Sequence, residues 1–162
     1  MKRPLVAFLL LPLAVPMASQ AQKAKPNLSG TWSFSAQKSS LKVPAPTSMT
    51  LEIAQNDPQI NFSRSQVYGE HRFDWKLEAA TDGQKEVVQK LPEYTANIRV
   101  YWEGDSLVLD QKITAPDGTQ ADDMVTYSLA EGGNVLQAVE RQTTVGGKGA
   151  TTNKWVYDKR AQ

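Results

Sequence analysis

The sequence contains no cysteine. This absence excludes disulfide bonds, thiolate metal ligands, cysteine nucleophiles and a lipid-modified N-terminal cysteine. A chain of 162 residues is nevertheless long enough to stabilise one domain by burying a hydrophobic core. We therefore expect a single domain that is held together by packing.

Histidine is almost absent as well. His71 is the single histidine, and no G-x-S-x-G motif accompanies it, so neither a multi-histidine zinc site nor a typical serine hydrolase centre is indicated. Asp122 and Asp123 are adjacent, but neighbouring strand residues point to opposite faces, and we interpret the pair as a solvated hairpin end. These absences predict no metal, no cofactor and no enzymatic activity.

The one long apolar run is N-terminal. Lys2 and Arg3 precede an apolar stretch over 5–17, and Ser19-Gln20-Ala21 follows with small residues at the positions of a cleavage site. This layout predicts a signal peptide over 1–21, cleaved after Ala21, and one mature domain over 22–162. The run is too short to span a bilayer as a helix, so we expect a periplasmic or secreted protein without a transmembrane span.

The charge is nearly balanced. Without Lys2 and Arg3 the 18 basic residues become 16, against 17 acidic ones, which leaves a net charge of −1. No basic stripe is present, so nucleic acid is not an expected partner. We expect a monomer, and the sequence leaves any protein partner unidentified.

The mature chain shows strand periodicity nearly throughout. In "HRFDWKLE" the apolar residues Phe73, Trp75 and Leu77 alternate strictly with charged ones, and similar alternation recurs in "SMTLEIAQ", "YTANIRVYWEG" and "SLVLDQKIT". Turn sequences such as "TDG" at 81–83, "EGDS", "APDGT" and "EGGN" separate these stretches. The pattern predicts nine or ten short strands joined mostly by hairpin turns.

Short connections imply antiparallel neighbours. A meander of this length exposes two edges unless it closes, so we predict an all-β fold, an antiparallel up-and-down meander β-barrel of about eight to ten strands. A β-sandwich would need longer connections, and an outer-membrane barrel would need a cleaner apolar face. Only the segment 36–48 is long and strandless, and we interpret it as a flap across one end.

Inward-facing apolar residues carry the functional signal. We predict that they either fill the core or line a cavity for one small ligand. Tyr127 would offer a hydroxyl to such a ligand, and Arg64 or Arg141 would pair with a carboxylate if either points inward. The predicted ligand-binding residues are Phe73, Trp75, Ile98, Val100, Trp102, Leu107, Leu109 and Tyr127.

The start of the first strand, Gly30-Thr31-Trp32, resembles the G-x-W feature of the lipocalin and fatty-acid-binding (calycin) superfamily. The resemblance implies that Trp32 closes one end of the barrel under a basic side chain near the last strand, and that Gly30 permits a close approach. Lys154, Lys159 and Arg160 are the candidates for that side chain, and we assign the role to Arg160.

More of the chain is similar to exported, lipocalin-like bacterial proteins. The shared elements appear here as "LSGTWSFSAQKSS", "PAPTSMTLEI", "TDGQK", "YWEGDSLVLD" and "WVYDKR", over residues 27–160. That group is defined by fold rather than activity. We therefore expect an exported barrel that binds a small apolar or amphipathic ligand. The alternative is a surface-mediated interaction module, an inhibitor or envelope factor, with a packed core and exposed Tyr68, Tyr101 or Leu41.

Overall fold

A computed structural model describes residues 24–144 and 149–161. The predicted signal peptide over 1–21 and its cleavage site lie outside these residues. Within them, no helix has the length and apolar character needed to cross a bilayer.

Ten antiparallel strands form one continuous sheet, which confirms the predicted meander barrel. Around the sheet the strand order is β4-β3-β2-β1-β10-β9-β8-β7-β6-β5. The ring is joined where the first strand pairs with the last, and one 3-10 turn, Glu131–Gly133, separates β8 from β9. The strands are β1 Gly30–Phe34, β2 Ser48–Asn56, β3 Gln59–Tyr68, β4 His71–Ala80, β5 Asp82–Lys90, β6 Thr95–Glu103, β7 Ser106–Thr114, β8 Gln120–Ala130, β9 Val135–Thr144 and β10 Thr151–Lys159.

The prediction of a hairpin turn at 81–83 is wrong, because β4 and β5 do not pair in the sheet. The Thr81 amide donates instead to the carbonyl of Pro58 in the β2–β3 turn, at 2.7 Å. The Asp82 carboxylate accepts hydrogen bonds from the next amides along the chain, and Asp82 already lies opposite Tyr101 of β6. Local turn chemistry therefore directs the chain away from β4.

Side chains join the seam between β4 and β5. The indole N–H of Trp75 on β4 donates to Gln89 Oε1 on β5 at 2.8 Å. The Gln89 amide nitrogen in turn donates to the Lys76 carbonyl at 2.6 Å. Gln89 thus connects the edges of β4 and β5, which are not paired through their backbones.

Trp32 closes one end of the barrel. Its side chain is fully buried, and its indole N–H donates to the Leu28 carbonyl at 3.0 Å, so the polar atom of the ring is paired inside the core. Gly30 has a φ of +146°, and a Cβ there would lie 3.2 Å from Lys159 Cε. Glycine therefore allows the Lys159 side chain to pass close to the backbone beside the indole.

The basic side chain over the indole is Lys159, so the assignment of Arg160 is wrong. Lys159 Nζ lies 5.3 Å from the centroid of the Trp32 ring, and the two residues are directly opposite each other in the β1–β10 pair. Successive residues of a strand point to opposite faces, so Arg160 points outward. Its guanidinium Nε donates to the Ser33 hydroxyl on the outer face.

The predicted strandless segment runs beside the first half of β10 before the chain enters β2. Ser40 exchanges backbone hydrogen bonds with Lys154, and the Lys42 amide donates to Asn153 Oδ1 at 2.7 Å. Beyond that point Pro46 is buried, and the Thr47 amide donates to the Val67 carbonyl. The segment therefore crosses the end of the barrel that carries the β3–β4 turn, opposite Trp32.

We expect Gly30→Ala to lower the free energy of unfolding by about 2–3 kcal/mol. This φ is strongly unfavourable for alanine, and the added Cβ would lie too close to the Lys159 side chain. Gly104→Ala is the matched control, because Gly104 also has a positive φ, but a Cβ added there would meet no atom within 4 Å. That change should cost only about 1 kcal/mol. Urea unfolding of both variants measures the difference, and equal losses would contradict the close-approach role of Gly30.

Candidate ligand-binding cavity

A partly open cavity of about 200 Å³ lies at the end opposite Trp32. It is enclosed mainly by β2, β3, β8, β9 and β10, and Val43 of the crossing segment covers one side. Its lining residues are Val43, Met49, Arg64, Gln66, Tyr68, Val125, Tyr127, Ala138, Glu140, Gln142, Asn153, Trp155 and Tyr157. The barrel is thus neither completely filled nor widely hollow.

The inner face changes from apolar to polar along the strands. On β9, Leu136 and Ala138 are buried in the core, whereas Glu140 and Gln142 on the same face line the cavity. On β3, Phe62 belongs to the core and Arg64 to the cavity. The half of the barrel near Trp32 is therefore apolar, and the other half carries charged and amide groups.

Glu140 is held by two donors on the neighbouring strand. Asn153 Nδ2 donates to Glu140 Oε2 at 2.8 Å, and the Trp155 indole N–H donates to the same oxygen at 2.9 Å. Asn153 Oδ1 also accepts a hydrogen bond from the backbone amide of Lys42. The crossing segment, the last strand and the cavity carboxylate thus form one hydrogen-bond network.

Arg64 supplies the positive charge of the cavity. Its guanidinium carbon lies 5.1 Å from the centroid of the Trp75 ring, a cation–π arrangement. Arg64 Nε is buried and has no hydrogen-bond partner among the residues that the structure describes. A buried donor on a cation is costly to leave without an acceptor.

Asp123 points inward beside the cavity, so its interpretation as part of a solvated hairpin end is wrong. The residue is 7% exposed, and its Oδ2 accepts a hydrogen bond from Gln111 Nε2 at 3.0 Å, while Oδ1 is buried without a partner in the described part of the chain. Burial raises the pKa of Asp123 to about 7, with a further increase from the charge of Glu140 and an opposing effect from Arg64. Asp122, its neighbour, is exposed.

Two tyrosines complete the polar wall. Burial raises the pKa of Tyr127 to about 12 and raises that of Tyr157 further, so both phenols are neutral at ordinary pH. The Tyr157 hydroxyl lies 3.9 Å from Met49 Sδ, a weak acceptor. Both hydroxyl groups are therefore suited to donate hydrogen bonds rather than to act as bases.

The predicted ligand-binding residues have different positions. Tyr127 lines the cavity, and Trp75 is half-buried against Arg64. Four residues are fully buried in the hydrophobic core on β6 and β7, where they fill the barrel: Ile98, Val100, Leu107 and Leu109.

Phe73 and Trp102 lie outside the cavity wall. Phe73 is 53% exposed near the β3–β4 turn, where its ring contacts Tyr68 edge-on at 6.2 Å. Trp102 is at the closed end, where its indole N–H donates to Asp57 Oδ1 at 3.3 Å and Lys25 approaches the ring. Alternation predicts which face a residue points to, but it does not predict which end of the barrel it reaches.

Sequence reasoning left the direction of Arg64 open and missed Glu140, and both are polar residues on otherwise apolar faces. Arg64 follows Ile60 and Phe62 at a spacing of two, and Glu140 follows Leu136 and Ala138 in the same way. That continuation was the available signal for an inward charge. Arg141, by contrast, is exposed on the outer face.

The three surface residues of the interaction-module hypothesis are not fully exposed. Tyr68, Tyr101 and Leu41 are each half-buried, and Tyr68 lines the cavity. The structure therefore shows no exposed patch formed by these three side chains.

Comparison with known proteins finds solved structures that share this fold. No protein-family model and no curated protein matches the sequence. Among solved structures, secretory abundant heat soluble protein 4 from Ramazzottius varieornatus is similar at 14% identity, with a TM-score of 0.57 over 86% of this chain and 100% of that one. These values show a shared fold.

Two further structures agree. A mutant of the fluorescent protein UnaG is similar at 15% identity and a TM-score of 0.57, over 83% of this chain and 96% of that one. Lipid binding protein 8 from Caenorhabditis elegans is similar at 15% identity and a TM-score of 0.56, over 82% and 95%. The three structures and this chain share one fold, an antiparallel meander β-barrel.

We expect Asp123→Asn to stabilise the protein at high pH. The folded-state pKa of Asp123 is about 7, above the usual value of 3.8, so folding favours the protonated form and stability is lost as the pH rises from about 4 to 7. Above pH 7 the loss approaches a value on the order of 4 kcal/mol. Denaturant unfolding of both proteins at pH 5 and pH 9 tests this.

Asp122→Asn is the control for this change, because Asp122 is exposed on the same strand. We expect it to follow the wild-type pH dependence. The measured quantity is the difference in the free energy of unfolding between the wild-type protein and Asp123→Asn. If this difference is the same at pH 5 and at pH 9, the shifted titration is contradicted.

Proposed function

We propose that this protein is an exported, non-enzymatic carrier that holds one small amphipathic molecule in its cavity. The polar end of the molecule accepts a hydrogen bond from Arg64, and its apolar end lies toward the core. The observation that carries the proposal is that Arg64 lines the cavity, while its buried Nε has no hydrogen-bond partner among the described residues.

Energetics support a ligand at this position. Leaving a buried donor without a partner costs about 1–3 kcal/mol, and more when the donor is charged. Trp75 and the seam glutamine hold the arginine in place, so little conformational entropy is lost when an acceptor arrives. A carbonyl, carboxyl or hydroxyl oxygen would supply the missing partner.

The cavity volume limits the size of the molecule. Pockets for drug-sized ligands are usually about 300–1,000 Å³, and a cavity of about 150 Å³ accommodates benzene. The 200 Å³ available here suits a short acyl chain or a single ring with a polar substituent. A long acyl chain would have to displace Val43, which is 41% exposed at the cavity wall.

Two further observations are consistent with binding. The inner face is polar only in the half of the barrel that holds the cavity, which suits an amphipathic molecule rather than a hydrocarbon. One protein of the same fold is, by its name, a lipid binding protein. The proposal of export depends on the leader sequence over 1–21.

Hexanamide is a suitable probe, because its size fits the cavity and its amide oxygen can accept from Arg64. We expect it to bind the wild-type protein in an NMR titration, with shifts of the Tyr127 and Tyr157 ring signals. Arg64→Met should weaken binding at least tenfold, since hydrogen bonds from charged donors contribute about 1.5–3 kcal/mol.

Arg72→Met is the matched control, because Arg72 is an exposed arginine on the neighbouring strand, paired with Asp74. It should leave the hexanamide dissociation constant unchanged. Native mass spectrometry of the purified protein would additionally detect a retained molecule. Failure of hexanamide to bind the folded wild-type protein, or equal binding by Arg64→Met, would overturn the proposed function.

A further inference from the structure

The charged groups around the cavity do not balance when all are ionised. Arg64 contributes one positive charge, whereas Glu140 and Asp123 are two carboxyl groups near it. Apart from the Trp155 indole, the other polar groups of the described residues that face Asp123 and the cavity are phenols and amides: Gln66, Tyr68, Gln111, Tyr127, Gln142, Asn153 and Tyr157. A ligand carboxylate would therefore bring a third negative charge to a cavity in which Arg64 supplies one positive charge.

The two unpartnered buried atoms are complementary in kind. Arg64 Nε is a donor, whereas Asp123 Oδ1 accepts when ionised and can donate when protonated. Asp123 flanks the cavity, because its cross-strand neighbour Gln142 and the next inward residue of its own strand, Val125, both line it. A head group that carries an acceptor atom next to a donor atom could pair with both Arg64 Nε and Asp123 Oδ1.

We infer that the cavity takes its ligand's head group without a net negative charge: either a neutral amide-like group, or a carboxylate that enters together with one proton bound by Asp123. This inference rests on the proposed function. When a carboxylate binds, the ionised Asp123 takes one proton from solvent, and the protonated side chain then shares that proton with the ligand carboxylate as a hydrogen bond.

Asp123 rather than Glu140 is the group that takes the proton. Glu140 Oε2 already accepts hydrogen bonds from Asn153 and Trp155, so this oxygen has its partners within the protein. Asp123 has one amide donor and an unpartnered oxygen, and burial raises its pKa to about 7. Proton uptake at Asp123 is therefore accessible near neutral pH.

Hexanoate and hexanamide are a matched pair of probes for this inference. The hexanoate carboxyl, like that of glutamate with its pKa of about 4.3, is ionised throughout pH 6–9. Because only the protonated protein would bind it well, its dissociation constant should rise on the order of 100-fold between pH 6 and pH 9. The dissociation constant of hexanamide should change less than about threefold.

Variants assign the effect to one residue. Asp123→Asn should abolish the pH dependence of hexanoate binding, whereas Asp122→Asn, which changes the exposed neighbouring carboxylate, should preserve it. Calorimetry of the wild-type protein at pH 8 in two buffers of different ionisation enthalpy should show uptake of nearly one proton per hexanoate and none per hexanamide. This measurement does not depend on a folded variant.

The outcomes separate the two proposals. Hexanoate binding that is independent of pH, or that keeps its pH dependence in Asp123→Asn, would overturn this inference while the proposed function stands. Absence of binding by both probes at pH 6 would overturn the proposed function, and this inference with it.

Discussion

The closure of one barrel end by Trp32 is the interaction on which the rest of the structure depends. The indole is buried, and its N–H is bonded to the Leu28 carbonyl, so the polar atom of the ring is paired at that end. Lys159 covers the ring, and Gly30 leaves the space for the lysine side chain. Because Trp32 fills the barrel interior at this end, the cavity between the strands lies toward the other end.

The sheet joins itself at β1 and β10 and remains open at the backbone level between β4 and β5. Trp75 has two roles at this seam, since its indole N–H bonds Gln89 and its ring supports the Arg64 guanidinium. The element that connects the sheet edges thus also positions the cavity cation. A substitution at the seam would therefore affect the position of Arg64 in the cavity through the Trp75 side chain.

A polar interior is unusual in a small barrel, because unpaired buried polar groups are costly. Here most of the cost is offset locally: Glu140 has two donors and Asp123 has one. The two atoms that remain unpaired within the described residues belong to oppositely charged members of one cluster, Arg64 and Asp123. Proteins with the same fold differ at about 85% of positions, so the fold alone does not explain this cluster.

The sequence determined the architecture, because alternation with a period of two and short turns can hardly be accommodated except by an antiparallel meander. Gly30-Thr31-Trp32 likewise marked the start of the first strand and the closed end. The turn at 81–83 shows the limit of local signals: Thr81 finds its partner in a distant turn, so an apparent hairpin becomes a seam.

Tertiary structure decided which side chains meet. Lys159 rather than Arg160 covers Trp32, because the β1–β10 register sets which residue shares the inner face. Asp123 is buried, although an acidic pair next to a turn looks exposed in sequence. Strand alternation specifies a face, but depth along the barrel depends on the stagger between distant strands, and that stagger brought Arg64, Asp123 and Glu140 together.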